Sequence, residues 1–554
     1  MYRNYHKAME TDPNTISPVR VVFFSAWTLV KAYWFLVIPV FIIVRALWRR
    51  YASPLRAYPG PFLASFTRLW KVISTARENT NWDHIALHKK YGPIVRIAPN
   101  EVSFSSPHIA RQVLSAGKRF YKTDFYRVFP PVQNPDIFTE IREDVHAMKK
   151  KVANVPYSMA AMRQLSPFID DTIELLVRQL DSYCYPHRAD YGDDEADVAT
   201  VVVETQKQRH TVDLGAWLHY FAFDVLGEIA FSRSFGFLEA GYDKENAIRT
   251  IDDSQKYNGI VGQVPEFDLV LRRNPLLRFF PYFDPANNLI SRIAREQMSK
   301  RRPFDMEREG KGAGGDGRED LLSSLIRGHL KDPTKFHEGD IFAVSHGAIF
   351  AGSDSTASTM QSFFWLMLSN PRVHATIAAE VENAVRTGAI PATGNVQWTE
   401  SQGLAYFQAC LKEAMRLRPA VGVSISRYAP PEGVDIDGHH FAGGTRLALN
   451  GWVLHRDREV FGQDADTYRP ERWLEDEEKS RVMERFMFQF GGGSHVCIGR
   501  NLALLEINKV IPRLLRDFDF QLVDPERELK AKATFFVVQE GLEVYISRRN
   551  LIKA

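Results

Sequence analysis

A mainly α-helical body with a small β component, preceded by one apolar N-terminal helix, is the fold class that the sequence predicts. Apolar residues recur at helical spacing over long stretches, strict alternation is confined to a few short ones, and one early run is apolar on every face. The chain has 554 residues, 45% hydrophobic, 12% aromatic and 25% charged. That composition buries a large core and excludes a disordered, collagen-like or supercharged polymer. Seventy Lys and Arg against 67 Asp and Glu leave a net charge of +3, too balanced to argue for a nucleic-acid partner. Cys184, Cys410 and Cys497 are too few and scattered for a disulfide-stapled scaffold or a multi-cysteine zinc site, so cysteine chemistry must come from one thiol.

After a tail of residues 1–20, the run Val21–Val44 (VVFFSAWTLVKAYWFLVIPVFIIV) carries one charge, Lys31. At about 1.5 Å per residue it is long enough to cross a bilayer core of about 30 Å. It predicts a single transmembrane anchor. A secretory signal peptide has a shorter apolar core and a small-residue cleavage site; a buried core helix with a charged flank is the bland alternative. Arg45, Arg49, Arg50 and Arg56 follow. The positive-inside rule places them on the cytosolic side, against an opposing set of Arg3, Lys7 and Arg20. The body is then expected in the reducing cytosol, which suits the sparse cysteines. Residues 45–61, basic and ending in Tyr58-Pro59-Gly60-Pro61, predict a stiff linker to a body at 62–554.

Within the body, helix-period patterns cover Thr211–Phe231, Ile341–Leu368 and Arg500–Phe518. Alternation predicts strands in Ile94–Phe104, in Val434–Leu449 around the turn Asp437-Gly438, and in Thr534–Ser547, too few for a sandwich or barrel. The hydrophilic segments Tyr185–Gln208 and Gly310–Asp320 predict surface loops.

Phe488–Leu505 reads FQFGGGSHVCIGRNLALL: three glycines, a lone cysteine, another glycine, then a helical pattern. Glycines let backbone approach a large flat ligand and let amides point at a negative atom. A thiolate at a helix start is favoured by the helix dipole. A phosphate cradle would need a following Gly-Lys-Ser/Thr, and a buried structural cysteine beside a flexible turn is the third reading.

This segment resembles the haem-binding loop of the cytochrome P450 family, Phe-x-x-Gly-x-Arg-x-Cys-x-Gly. Phe490, Gly493, His495, Cys497 and Gly499 fall on it, with His495 in the arginine place. The resemblance implies a cytochrome P450 fold with the catalytic domain at 62–554, haem b, Cys497 as axial iron ligand, Phe490 shielding the sulfur, and His495 donating to a haem propionate. Thiolate pushes electron density toward O–O cleavage, which neutral histidine cannot supply. Glu413 and Arg416 share a helical face in QACLKEAMRLRP, and YRPERW resembles the family's Pro-Glu-Arg segment. By resemblance Glu413, Arg416 and Arg472 form a buried structural charge network. FAGSDSTAST resembles the oxygen-activation motif, with Ser355 replacing its first threonine. Asp354 and Ser355 then relay protons to bound dioxygen; the alternative is a helix N-cap. Gly352 and the hydroxyls in that helix point to polar surroundings. Arg427 and the pair His146 and Lys150 align with propionate-binding positions.

The family's electron source, NADPH through NADPH-cytochrome P450 reductase, is implied likewise, and the run Lys149-Lys150-Lys151 offers a basic docking face. The segments Phe125–Phe138, the helix before Ala351, Ala420–Ile425 and Thr534–Val538 are mostly apolar and aromatic. They predict a lipophilic substrate such as a terpenoid, polyketide or aromatic compound, with similarity to fungal microsomal members that tailor secondary metabolites. Detoxifying oxidation of a small aromatic compound, a reductase-independent haem-thiolate isomerase or dehydratase, and a non-catalytic membrane-anchored interaction protein are the rival readings.

Overall fold

The computed structural model describes residues 18–115, 117, 120–129, 134–184, 211–274, 276, 289–301 and 319–549. The expected loop Tyr185–Gln208, all of Gly310–Asp320 before 319, and residues 1–17 of the tail lie outside the described residues. Helices dominate and the strands gather in small sheets, as the two periodicities predict.

The axis of the body is the long helix Glu338–Leu368. It begins a turn before the predicted Ile341 because Asp340 satisfies its free N-terminal end, accepting the His337 amide at 2.7 Å and pairing with Lys149 at 2.9 Å. A carboxylate in the first turn also suits the helix dipole. The helix Leu214–Phe231 packs along it. That helix starts three residues later than Thr211 because Val212–Asp213 is a short strand and Asp213 caps the helix, accepting the Ala216 amide at 3.0 Å. The two helices meet at Gly352, where a Cβ would stand 3.1 Å from Leu226 Cδ1. The glycine therefore serves close packing, which corrects the expectation that polar surroundings explain it.

Arg427 is carried by a five-stranded sheet in the order Ile94–Ala98, Glu101–Phe104, Arg446–Leu449, Ile425–Tyr428 and Tyr121–Lys122. All its pairings are antiparallel except that of Glu101–Phe104 with Arg446–Leu449. The predicted turn Asp437-Gly438 has φ of +50° and +74°, the conformation a two-residue hairpin demands, between strands Val434–Ile436 and His439–Phe441. The buried helix Arg500–Asp517 leads directly into the strand Phe518–Leu522.

The apolar run 21–44 lies within the helical segment Pro18–Tyr51, which is kinked at Tyr33 (φ −122°, ψ 17°) and continues through Arg45, Arg49 and Arg50. Phe35, Phe41, Ile42 and Ile43 are each more than half exposed on it. Among the described residues no helix is long and apolar enough to cross a membrane. Its basic end is docked on the body: Arg50 donates to Ser65 Oγ at 2.7 Å, and Arg96 donates to the Arg49 carbonyl at 2.8 Å.

Candidate active site

In the loop before Arg500–Asp517, Gly491 and Gly493 have φ of +73° and +59°, a region that side chains disfavour. The resulting reversal lets the Cys497 amide donate to the Phe490 carbonyl at 2.7 Å. Phe490 is half-buried against the main core. The Cys497 side chain is reachable by solvent yet surrounded by protein at longer range. Burial pushes its thiol up, and the amides of Gly499 and Arg500 with the charges of Lys150 and Arg500 pull against that rise. These amides belong to the unpaired N-terminal end of the helix, a natural seat for an anion.

The helix Glu143–Ala153 faces this loop. Lys150 donates to the carbonyls of Ser494 and Val496, both at 2.7 Å, so it fastens the cysteine loop instead of standing free for an anion. Its neighbour Lys149 is buried with Asp340, which leaves Lys151 as the exposed member of the run. The lysine run is thus mainly turned inward, a correction to the broad docking face expected from it. His146 is buried, its ring 4.4 Å from that of His495. His495 Nε2 lies 3.0 Å from Glu143 Oε2, while its buried Nδ1 has no hydrogen-bond partner among the described residues.

Buried Arg427 donates to the Tyr126 hydroxyl at 2.5 Å and lies in register with Lys122. Lys122 donates to the carbonyls of Ile137, Phe138 and Glu140 at 2.9 Å each. Burial, then Arg427, pushes the Lys122 ammonium down to about 7. Burial, then Lys122, pushes His146 down to about 3. His495 is lowered by burial, with Arg427 and Lys122 reinforcing the fall and Glu143 opposing it. Cation-forming side chains from four parts of the chain thus converge and suppress one another's charge, a field that an anion would relieve.

Glu413, Arg416 and Arg472 come together as expected, all buried. Glu413 accepts from Arg416 at 2.8 Å twice and from Arg472 at 2.9 Å. Arg416 donates to the His455 carbonyl at 2.7 Å, and His455 Nε2 accepts the Phe488 amide at 2.8 Å. The network therefore reaches the cysteine loop through one imidazole.

Asp354 and Ser355 turn to different partners. Ser355 donates to the Ala351 carbonyl at 2.8 Å, a back-bond within the helix. Both lie mid-helix, which excludes the N-cap reading. The Asp354 carboxylate is buried and bonded to His219 at 2.8 Å and to Gln255. The apolar segments also meet: Phe129 touches Phe125, Phe138, Phe350 and Phe535, and the Gly422 amide donates to the Phe535 carbonyl at 2.9 Å.

Residues 59–545 match the family model for cytochrome P450. The chain belongs to the cytochrome P450 family. This P450 is 34% identical to cytochrome P450 monooxygenase cicH of Emericella nidulans, over 92% of its own length and 97% of the relative's. It is 31% identical to cytochrome P450 monooxygenase gsfF of Penicillium aethiopicum, over 96% and 100%. It is also 31% identical to the pisatin demethylase of Fusarium vanettenii, over 93% of each chain. It is an oxidoreductase of the monooxygenase class. Membership implies haem with thiolate-bound iron, and the residues fit that group. One accessible sulfur sits on helix amides, and the orphaned His495 Nδ1 stands in a cationic cluster that suits anionic propionates.

Lys122, Tyr126, Glu143, His219 and Gln255 escaped the sequence reading because each is remote in the chain from the group it serves. Only Glu143, one turn before His146 on a helix, carried a local signal.

Proposed function

We propose that this P450 inserts one oxygen atom from O2 into a lipophilic terpenoid or polyketide in fungal secondary metabolism, drawing electrons from NADPH through NADPH-cytochrome P450 reductase. Support comes from the aromatic enclosure around Phe129, which combines the loop Phe125–Phe138, the long helix and the segment after Thr534. Such a wall selects by apolar contact and shape. The run 21–44 anchors the enzyme in the endoplasmic reticulum membrane with its body in the cytosol, a reading supported by the exposed Phe35, Phe41, Ile42 and Ile43.

Cys497 would hold the haem iron, and Arg427, His495, Lys122 and His146 would face the propionates. Haem, when bound, supplies the thiolate-ligated iron that activates dioxygen. The protein's own part is local. The Gly499 and Arg500 amides hold negative charge on the sulfur, and Lys150 keeps the loop closed on it. Ser355 turns its hydroxyl from the Ala351 carbonyl to hold a proton inside the helix groove, and the aromatic wall excludes water. Persistence of Ser355 and Asp354 in the proton-handling place favours monooxygenation over a reductase-independent isomerase or dehydratase.

Deletion of the gene followed by metabolite profiling would name the substrate through the precursor that accumulates. Purified enzyme with reductase should then consume O2 and NADPH when that precursor is added; conversion without either would establish the isomerase or dehydratase instead.

A further inference from the structure

The sequence reading pairs Asp354 with its neighbour Ser355, yet the carboxylate is held by two other helices. His219, on Leu214–Phe231, places Nε2 2.8 Å from Asp354 Oδ1. Gln255, on Ala247–Val261, donates to Asp354 Oδ2. The other end of that amide is fixed, because Gln255 Oε1 accepts the Phe536 amide at 3.0 Å. Gln255 therefore cannot turn to offer Asp354 an acceptor. Asp252 lies one turn before Gln255 on the same helix face. It is half-buried, and its Oδ1 has no hydrogen-bond partner among the described residues.

We propose that His219 is the positioning residue that resupplies protons to Asp354, forming with Asp252 a relay from the protein's edge to the oxygen-activating helix. The inference rests on the haem-thiolate monooxygenase reading. The Nε2–H bond of the His219 imidazolium breaks as Asp354 Oδ1–H forms. Asp354 then gives a proton toward Ser355 Oγ and is again a carboxylate. Neutral His219 takes its proton back from the Asp252 carboxyl, and Asp252 is recharged from water. No electrons move, and the cluster ends with its original protons.

The electrostatics suit each station. Burial opposes a charged His219, but its bond and charge interaction with Asp354, followed by Asp252 and Asp243, hold the imidazole above its ordinary range. Asp252 is raised to about 7 by burial, then Asp354, with His219 opposing and Asp253 and Asp243 reinforcing. From the neighbouring hairpin, Lys532 also faces Asp252. A carboxyl that titrates near neutrality exchanges protons readily in both directions.

Two measurements on the full-length holoenzyme decide the matter. In the diamagnetic ferrous carbon monoxide form, 15N NMR of labelled histidine should show His219 titrating above the ordinary histidine range, and Asp354→Asn should bring that titration down. With reductase and no added substrate, the ratio of NADPH oxidised to O2 consumed separates reduction to water from reduction to peroxide. His219→Gln, which keeps a hydrogen-bond donor but has no ionisable proton to release, should raise the ratio of peroxide to water several-fold, toward the about 10²-fold scale at which acid–base groups act. Asp252→Asn should remove the pH dependence of that ratio near neutrality. A His219 that titrates ordinarily, or identically in Asp354→Asn, overturns the relay, as does an unchanged peroxide share in both variants. Should His219→Gln fail to fold, the wild-type and Asp354→Asn titrations still decide. The carbon monoxide spectrum tests the haem-thiolate reading separately: a wild type lacking the thiolate-type band sinks that reading, whereas a normal band with an ordinary His219 sinks only the relay.

Discussion

Replacing Glu413 with Gln keeps its shape but leaves the buried Arg416 guanidinium without a counter-charge and Arg472 with Asp464 alone. Glu413 accepts from Arg416 Nε and Nη2, Arg472 Nε, Trp473 Nε1 and the Arg469 amide. Burial alone would raise this carboxyl, but Arg416 and Arg472 hold it below its ordinary range. Breaking a buried ion pair from one side costs about 3–5 kcal/mol. At about 2.1 cal/mol/K of unfolding entropy per residue, the chain of 554 residues unfolds with about 1.2 kcal/mol/K. The expected fall in melting temperature is therefore only about 3–4 °C, because so large a protein dilutes a local loss. Differential scanning calorimetry of the haem-loaded enzyme would measure it. Adding Arg416→Met to Glu413→Gln removes part of the unpaired charge and should recover part of the loss. A single variant melting within about 0.5 °C of wild type, or a double variant no better than the single, would refute the argument.

Replacing Cys497 with Ala should abolish monooxygenation and the thiolate-type carbon monoxide spectrum, while Ser355→Ala should leave haem bound and divert O2 into peroxide, read by NADPH and product stoichiometry. Burial pushes His84 and His455 down to about 3 from an ordinary 6.5, so the unfolded chain binds more protons than the native one below pH 6.5. Stability should be intact above that pH and fall as pH drops toward 3, by about 2 kcal/mol per histidine at pH 5; urea midpoints should show it, and His455→Leu should remove one proton's share of the slope. Gly352→Val should cost about 1–3 kcal/mol through collision with Leu226, again read in urea. Lys150→Met should speed haem loss to apomyoglobin about tenfold, since charged hydrogen bonds to the loop contribute about 1.5–3 kcal/mol.

The long helix, the cysteine loop and the Asp437-Gly438 hairpin were legible because each obeys a local rule: a period of 3.6, a glycine cluster at a helix start, a dipeptide that accepts positive φ. The Glu413 network was legible through motif order. What the chain did not disclose is which partner each polar group takes across space. Lys149 and Lys150 are adjacent in sequence, yet one pairs with Asp340 and the other holds Ser494 and Val496. Likewise Asp354 and Ser355 part company, because a carboxylate inside a helix bundle goes to the donor on the facing helix, whereas a serine can satisfy itself on its own backbone.

The helix Glu143–Ala153 works as a crossbar. One lysine grips the loop that carries the sulfur; the preceding lysine grips the start of the long helix. A push on its outer side cannot shift one attachment without loading the other. A load on this rod would thus reach both the cysteine loop and the start of the long helix, and a substitution anywhere along it should disturb sulfur environment and oxygen chemistry together.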